Sequence, residues 1–220
     1  MNPQNLFVLL LSLFCTIAFS QIKPKTNLEI IEETIRTGLE TYIYYPDLNR
    51  EYQFIFVINP EENHENSSNI NSKEKYLTAL VKKIAADNKI HFSFATDIIK
   101  INSDSAYNLV ILHINNIETA YPQFKKNKFL GNKTLIRNIK IKIAIDIKSS
   151  DNKFSLSDFI TGNYDDEVNY DGYENLESSQ YAFTKAEPPE IGAFESIVFP
   201  LMLVSSTAVA TFLFFIIRSR

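Results

Sequence analysis

A formal charge of −4 over 220 residues, with a pI near 5.5, argues against a general nucleic-acid binder, which would carry a basic face. The single cysteine, Cys15, sits in a leader-like segment, so the rest of the chain offers neither a disulfide framework nor thiol chemistry. With five glycines and no G-x-S-x-G elbow, no phosphate-cradling loop or nucleophile motif identifies a reaction.

The chain opens on an apolar run, Leu6 to Phe14, too short to span a bilayer and shaped like the core of a signal peptide. Ala18-Phe19-Ser20 supplies small residues for cleavage before Gln21, although the preceding MNPQN lacks the usual Lys or Arg. Residues 1–20 are therefore expected to be a leader, and 21–181 a folded domain beyond it.

Thr26-Asn27 can cap a helix whose apolar positions, Leu28, Ile31, Ile35, Leu39 and Tyr42, follow a 3.6-residue period. Glu29, Glu32 and Glu33 fall in its first turns, where the helix dipole favours acids, and Pro46-Asp47 end it. Tyr52 to Ile58 is apolar on both faces, as a central strand covered from two sides would be. A polar loop, 59–71, leads to Ser72, which can cap a second amphipathic helix with Leu77, Leu80, Val81 and Ile84 on one face.

Ile90 to Phe94 reads as a short strand, and Ala106 to Ile117 as a longer one. The clearest alternation follows. Leu135, Ile139, Ile141, Ile143, Ile145 and Ile147 share one face, and Asn138, Lys140, Lys142, Asp146 and Lys148 the other. Arg137 interrupts the apolar side. Ser149 to Lys153 is a turn, Phe154 to Thr161 a further strand, and Gly172 to Ser178 a short helix. The expected fold is one α+β (or α/β) domain in the order α-β-α-β-β-β-β, with a mixed sheet and two packed helices.

Residues 182–195, with Pro188-Pro189, read as a stiff stalk. Residues 196–217 contain no charge, and at ~1.5 Å of rise per residue such a helix covers the ~30 Å hydrocarbon core of a bilayer. Ser206 and Ala210, and Thr207 and Thr211, are small residues one turn apart. Arg218 and Arg220 fall in the short segment 218–220, expected on the cytoplasmic side, which leaves the body extracytoplasmic.

The helix-strand-helix opening followed by long strands resembles the small periplasmic α/β domains of the curli secretion channel family and of lipoprotein activators of penicillin-binding proteins. The matching stretches are Ala106-Tyr107-Asn108-Leu109-Val110-Ile111, Arg137 to Asp146, and a Gly162-x-Tyr164 turn. Those families use an N-terminal lipid, whereas this chain carries a C-terminal helix. The resemblance implies an envelope-associated, non-catalytic role and transfers no functional residue.

Two constellations stand out. An acidic-aromatic stretch contains Tyr164, Asp165, Asp166, Tyr170 and Tyr173, a candidate interaction surface because tyrosine is enriched at interfaces. It fails as a calcium loop: with Gly172 as the loop glycine, Ser178 stands where the closing Glu belongs. Lys125, Lys126, Lys128 and Lys133 lie in the connection between two long strands and are candidates for contact with a lipid headgroup or other polyanion, or for pairing with the acidic stretch. No catalytic, cofactor-binding or metal residue is assigned. The expected function is a non-enzymatic, single-pass, membrane-anchored domain that contacts another envelope protein or a second copy of itself. One alternative is a polyanion-binding module. Another is a metal-dependent hydrolase that would have to assemble Asp165 and Asp166 with His91 and His113.

Overall fold

The computed structural model describes residues 23–59, 67–95, 106–126, 133–190, 197 and 199–218. The expected leader, Lys128 and Arg220 lie outside the described residues. The α+β order α-β-α-β-β-β-β holds. Helices α1 (Asn27–Ile43) and α2 (Ser67–Asp87) accompany strands β1 (Gln53–Asn59), β2 (Phe92–Phe94), β3 (Tyr107–Lys126), β4 (Lys133–Ser149) and β5 (Ser155–Asn169). A last helix, α3, runs from Phe199 to Arg218.

The N-terminus of α1 is closed by a capping box. The Glu29 amide donates to the Thr26 hydroxyl at 3.2 Å, and the Thr26 amide donates to the Glu29 carboxylate at 2.7 Å. Its buried stripe is Ile30, Ile31, Ile35, Leu39 and Ile43, with Leu28 and Tyr42 half-buried at its margin. The second helix starts at Ser67 rather than Ser72, so part of the expected polar loop is helical. Once the turns that follow are helical, further turns add at the N-terminal end without a new nucleus.

The sheet order is β2-β1-β3-β4-β5. β1 runs parallel to both neighbours, and α2 supplies the crossover that its parallel pairing with β2 requires. β3, β4 and β5 form an antiparallel meander. Both helices lie on one face, α1 against β4 and β5, α2 against β1 and β3. They sandwich Phe54, Phe56, Val110, Leu112, Ile139, Ile141, Ile143 and Ile145 into the main core. Each such side chain removed from water contributes roughly 1.5–3 kcal/mol before the entropy of ordering is subtracted.

The long strands exceed their expected lengths. β3 reaches Lys126 because two register shifts absorb what would break it, one at Asn115 and one spanning Pro122. Proline has no amide for the ladder, so an irregularity is where a strand tolerates it. β5 runs on to Asn169, and the expected Gly162-x-Tyr164 turn is instead extended backbone paired with Ile139-Lys140-Ile141. The β4–β5 hairpin turns at Asp151-Asn152, with Asn152 at φ 57° and the Asp151 carboxylate accepting from the Ser149 hydroxyl at 2.5 Å and the Lys153 amide at 3.1 Å.

Past β5, a 3-10 helix spans Tyr170–Leu176 and a second one Ala182–Thr184. The expected stalk therefore begins inside the body. Phe183 and Thr184 are buried, and the Tyr76 ring packs on Tyr181 and Phe183 at 5.0 and 5.3 Å between centroids. Tyr181 and Phe183 thus pack the segment before Pro188 on α2.

Candidate functional site

The acidic stretch lies on β5, and its neighbour β4 carries Arg137 directly opposite Asp166. Strand pairing thus brings opposite charges together that are 29 residues apart. Arg137 is fully buried and forms a bidentate pair, Nε to Oδ1 at 2.8 Å and Nη2 to Oδ2 at 2.6 Å. Its Nη1 donates to the Lys25 carbonyl at 2.7 Å and to the Asn27 side-chain oxygen at 2.8 Å. The amide of buried Asn27 donates in turn to the Thr184 carbonyl at 2.7 Å and the Tyr121 hydroxyl at 3.2 Å. The Tyr164 ring lies 5.6 Å from the guanidinium, and its hydroxyl donates to Asp166 at 3.3 Å.

This bracket ties the start of α1, three strands and the segment leading to the last helix into one network. Four of the five guanidinium donors are committed to protein acceptors, which fixes the Arg137 side chain in place. Burial, mainly, pushes the Tyr121 phenol up to about 12, so it stays a neutral hydroxyl at physiological pH.

The candidate lysines separate. Lys125 and Lys126 close β3 and Lys133 opens β4, so these three are strand residues rather than parts of a loop, because the bulges let the ladder run to its end. Lys125 pairs with Glu167 at 2.7 Å, and the Lys133 ammonium stands 5.8 Å from the Tyr170 ring centroid. Tyr170 and Tyr173 pack with Tyr121, Phe124, Leu135 and Val168 in a second, smaller core. Asp165 accepts from Asn138 at 2.6 Å.

His91 and His113 do not meet. His113 is level with Asn59 on β1, and His91 precedes Phe92, which is level with Phe54, a separation of about 15–20 Å along the strands. Neither shares a strand or a neighbouring strand with Asp165 and Asp166, and no group of three metal-ligating side chains occurs among the described residues.

The last feature is a groove of about 580 Å³ between α1 and β5, lined by Thr34, Thr37, Thr41, Tyr42, Phe159 and Tyr164 among others. Its shape follows from two glycines. A Cβ on Gly38 would stand 2.5 Å from the Ile160 side chain, and one on Gly162 would stand 2.5 Å from Thr34. Without side chains there, α1 settles directly on β5. In the sequence, Gly162 reads as a turn residue and Gly38 lies unmarked within the helical period. A glycine inside each element was the available signal.

No protein-family model matches the chain, and no curated protein matches it. Among solved structures, it is similar to a neuraminyllactose-binding hemagglutinin homolog from Helicobacter pylori, at 11% identity and a TM-score of 0.37, over 60% of this chain and 83% of that one. It is also similar to a minor lipoprotein from Acinetobacter baumannii, at 13% identity and a TM-score of 0.22, over 56% of this chain and 69% of that one. These similarities are distant and identify no particular family.

Proposed function

We propose that the chain is a single-pass membrane protein whose folded body stands on the extracytoplasmic side and works by contact with another envelope protein. The observation that carries this reading is α3: its stretch Pro200–Ile217 has a mean hydropathy of 2.1 and none of it is buried. A helix with no protein to cover it needs another apolar phase, and ~20 such residues match a bilayer. Its Ser205, Ser206, Thr207 and Thr211 hydroxyls donate to carbonyls three or four residues back, so the segment brings no unpaired hydroxyl into lipid. Arg218 and Arg220 flank the span on one side, and the leader-like N-terminus supports export of the body.

A non-enzymatic role is part of the proposal. Supporting it, the polar residues that strand pairing gathers are spent on one another in the arginine bracket. A polyanion surface is the weaker reading, because Lys125 is neutralised by Glu167 and Lys133 lies against Tyr170. The test is fractionation with protease protection. The chain is expected to stay in the membrane pellet through alkaline carbonate, and the body to be digested only when added protease reaches the outer face. Release by carbonate, or digestion of the body in cytosol-side-out vesicles, would overturn it.

A further inference from the structure

We propose that the free edge of β5 and the flank of α1 form a slot for an extended, lysine- or arginine-bearing polypeptide, which adds to the sheet as a sixth strand. This rests on the reading of the chain as an interaction module and names its mode of contact. β5 is an outer strand of the sheet for its whole length, Ser155–Asn169. The hydrogen bonds at Phe159 set which residues face out. Its amide donates to the Asp158 carboxylate at 2.8 Å, and its carbonyl accepts from the Tyr42 hydroxyl at 3.3 Å. Its ladder partner Ala144 turns its own amide away, to Asn115 on β3 at 3.0 Å. Phe159 therefore faces the edge, and the two-residue period of a strand turns the backbone of Thr161, Asn163, Asp165 and Glu167 the same way.

Among the described residues, Asp158 and Tyr42 cap the edge at one point. Beyond that point the strand runs beside the groove, whose wall is the row Thr34, Thr37 and Thr41 on α1. A strand laid there would gain main-chain bonds from β5 and set alternate side chains against that row. This is the geometry by which edge strands recruit peptides.

Charge selects the occupant. Asp165 is held by two asparagine amides, Asn138 at 2.6 Å and Asn163 at 3.5 Å, and Asp158 by the Phe159 amide at 2.8 Å. Neither forms an ion pair among the described residues. Paired antiparallel with a second copy over residues 161–167, Asp165, Asp166 and Glu167 would face Asn163, Gly162 and Thr161, so a second copy brings no basic side chain to these carboxylates. A basic strand from a different polypeptide meets both conditions.

The test uses the full chain in detergent micelles and a synthetic nonapeptide alternating valine and lysine. Amide exchange at Thr161, Asn163 and Asp165 is expected to slow on adding the peptide, and not on adding its valine–glutamate counterpart. N-methylation of one set of alternate peptide amides, and not the other, is expected to abolish binding. Asn163→Pro removes an outward amide without breaking the ladder to β4 and is expected to weaken binding about tenfold or more. Should that variant misfold, Asp165→Lys provides the same test through charge. No protection at saturating peptide, or equal binding of both N-methylated forms, overturns the proposal, as does concentration-dependent dimerisation with the same protection and no peptide. A partner that copurifies equally with Asp165→Lys would sink the slot and leave the interaction module standing. Absence of any partner would sink the module itself.

Discussion

Arg137 decides more than any other residue. In the amino-acid sequence it is a flaw in an otherwise apolar alternation. In the folded protein it is wholly buried, and its charge is met by Asp166 on the next strand and by main-chain and side-chain oxygens 110 or more residues away. Removing one member of a buried pair strands the other, at a cost of about 3–5 kcal/mol. Arg137→Met is expected to lower unfolding stability by that order in a denaturant titration, and Arg137→Met with Asp166→Leu to recover most of it. A single-variant loss below about 1 kcal/mol would show the network to be dispensable. Asn27 was legible as a helix-start residue, but its burial between Arg137 and Thr184 was not, because both partners come from distant parts of the chain.

Among the elements, α1 and β5 carry the most informative contact. Gly38 and Gly162 let the helix and strand touch, and the groove exists because of that close approach. Gly38→Ala is expected to cost about 1–3 kcal/mol by forcing the Ile160 side chain aside, despite alanine's better helix propensity. Equal or higher thermal stability in the variant would mean the packing yields there. The apolar face of α1 and the alternation of β4 were plain in the sequence because each element buries a full periodic stripe. The second half of β5 was not. As a sheet edge it exposes polar residues on most positions, and only its pairing with β4 marks it as a strand.

Across the whole molecule, pH reads out how the body is packed. Burial pushes the phenols of Tyr42 and Tyr121 up to about 12, and raises that of Tyr76 as well. In the unfolded chain these groups ionise near 10, so between pH 10 and about 12 the unfolded state has shed protons that the folded state keeps. Stability is then full below pH 10 and falls as pH rises through that window. On the acid side, hydrogen bonds from Ser149 and Lys153 hold Asp151 down at about 2, and those from Thr26 and Phe159 lower Glu29 and Asp158. Their contribution is full above about pH 4 and is lost as pH falls toward 2. A plateau in melting temperature from about pH 5 to 9, with both limbs falling, is expected by circular dichroism. Tyr76→Phe with Tyr121→Phe should flatten the alkaline limb. An unchanged limb would assign that loss to other groups.

The amino-acid sequence by itself determined the classes of surface. Local period and run length mark the capped α1, the two-side-buried β1, the half-buried β4 and an uncharged terminal segment of bilayer length, since each depends only on how a short stretch partitions between water and an apolar phase. Tertiary structure alone decided which polar residues face one another. It placed the acidic stretch against Arg137 and Lys125, folded Phe183 back onto Tyr76, and left one strand edge open beside α1. Those outcomes depend on strand register, and register is settled only when the whole core closes.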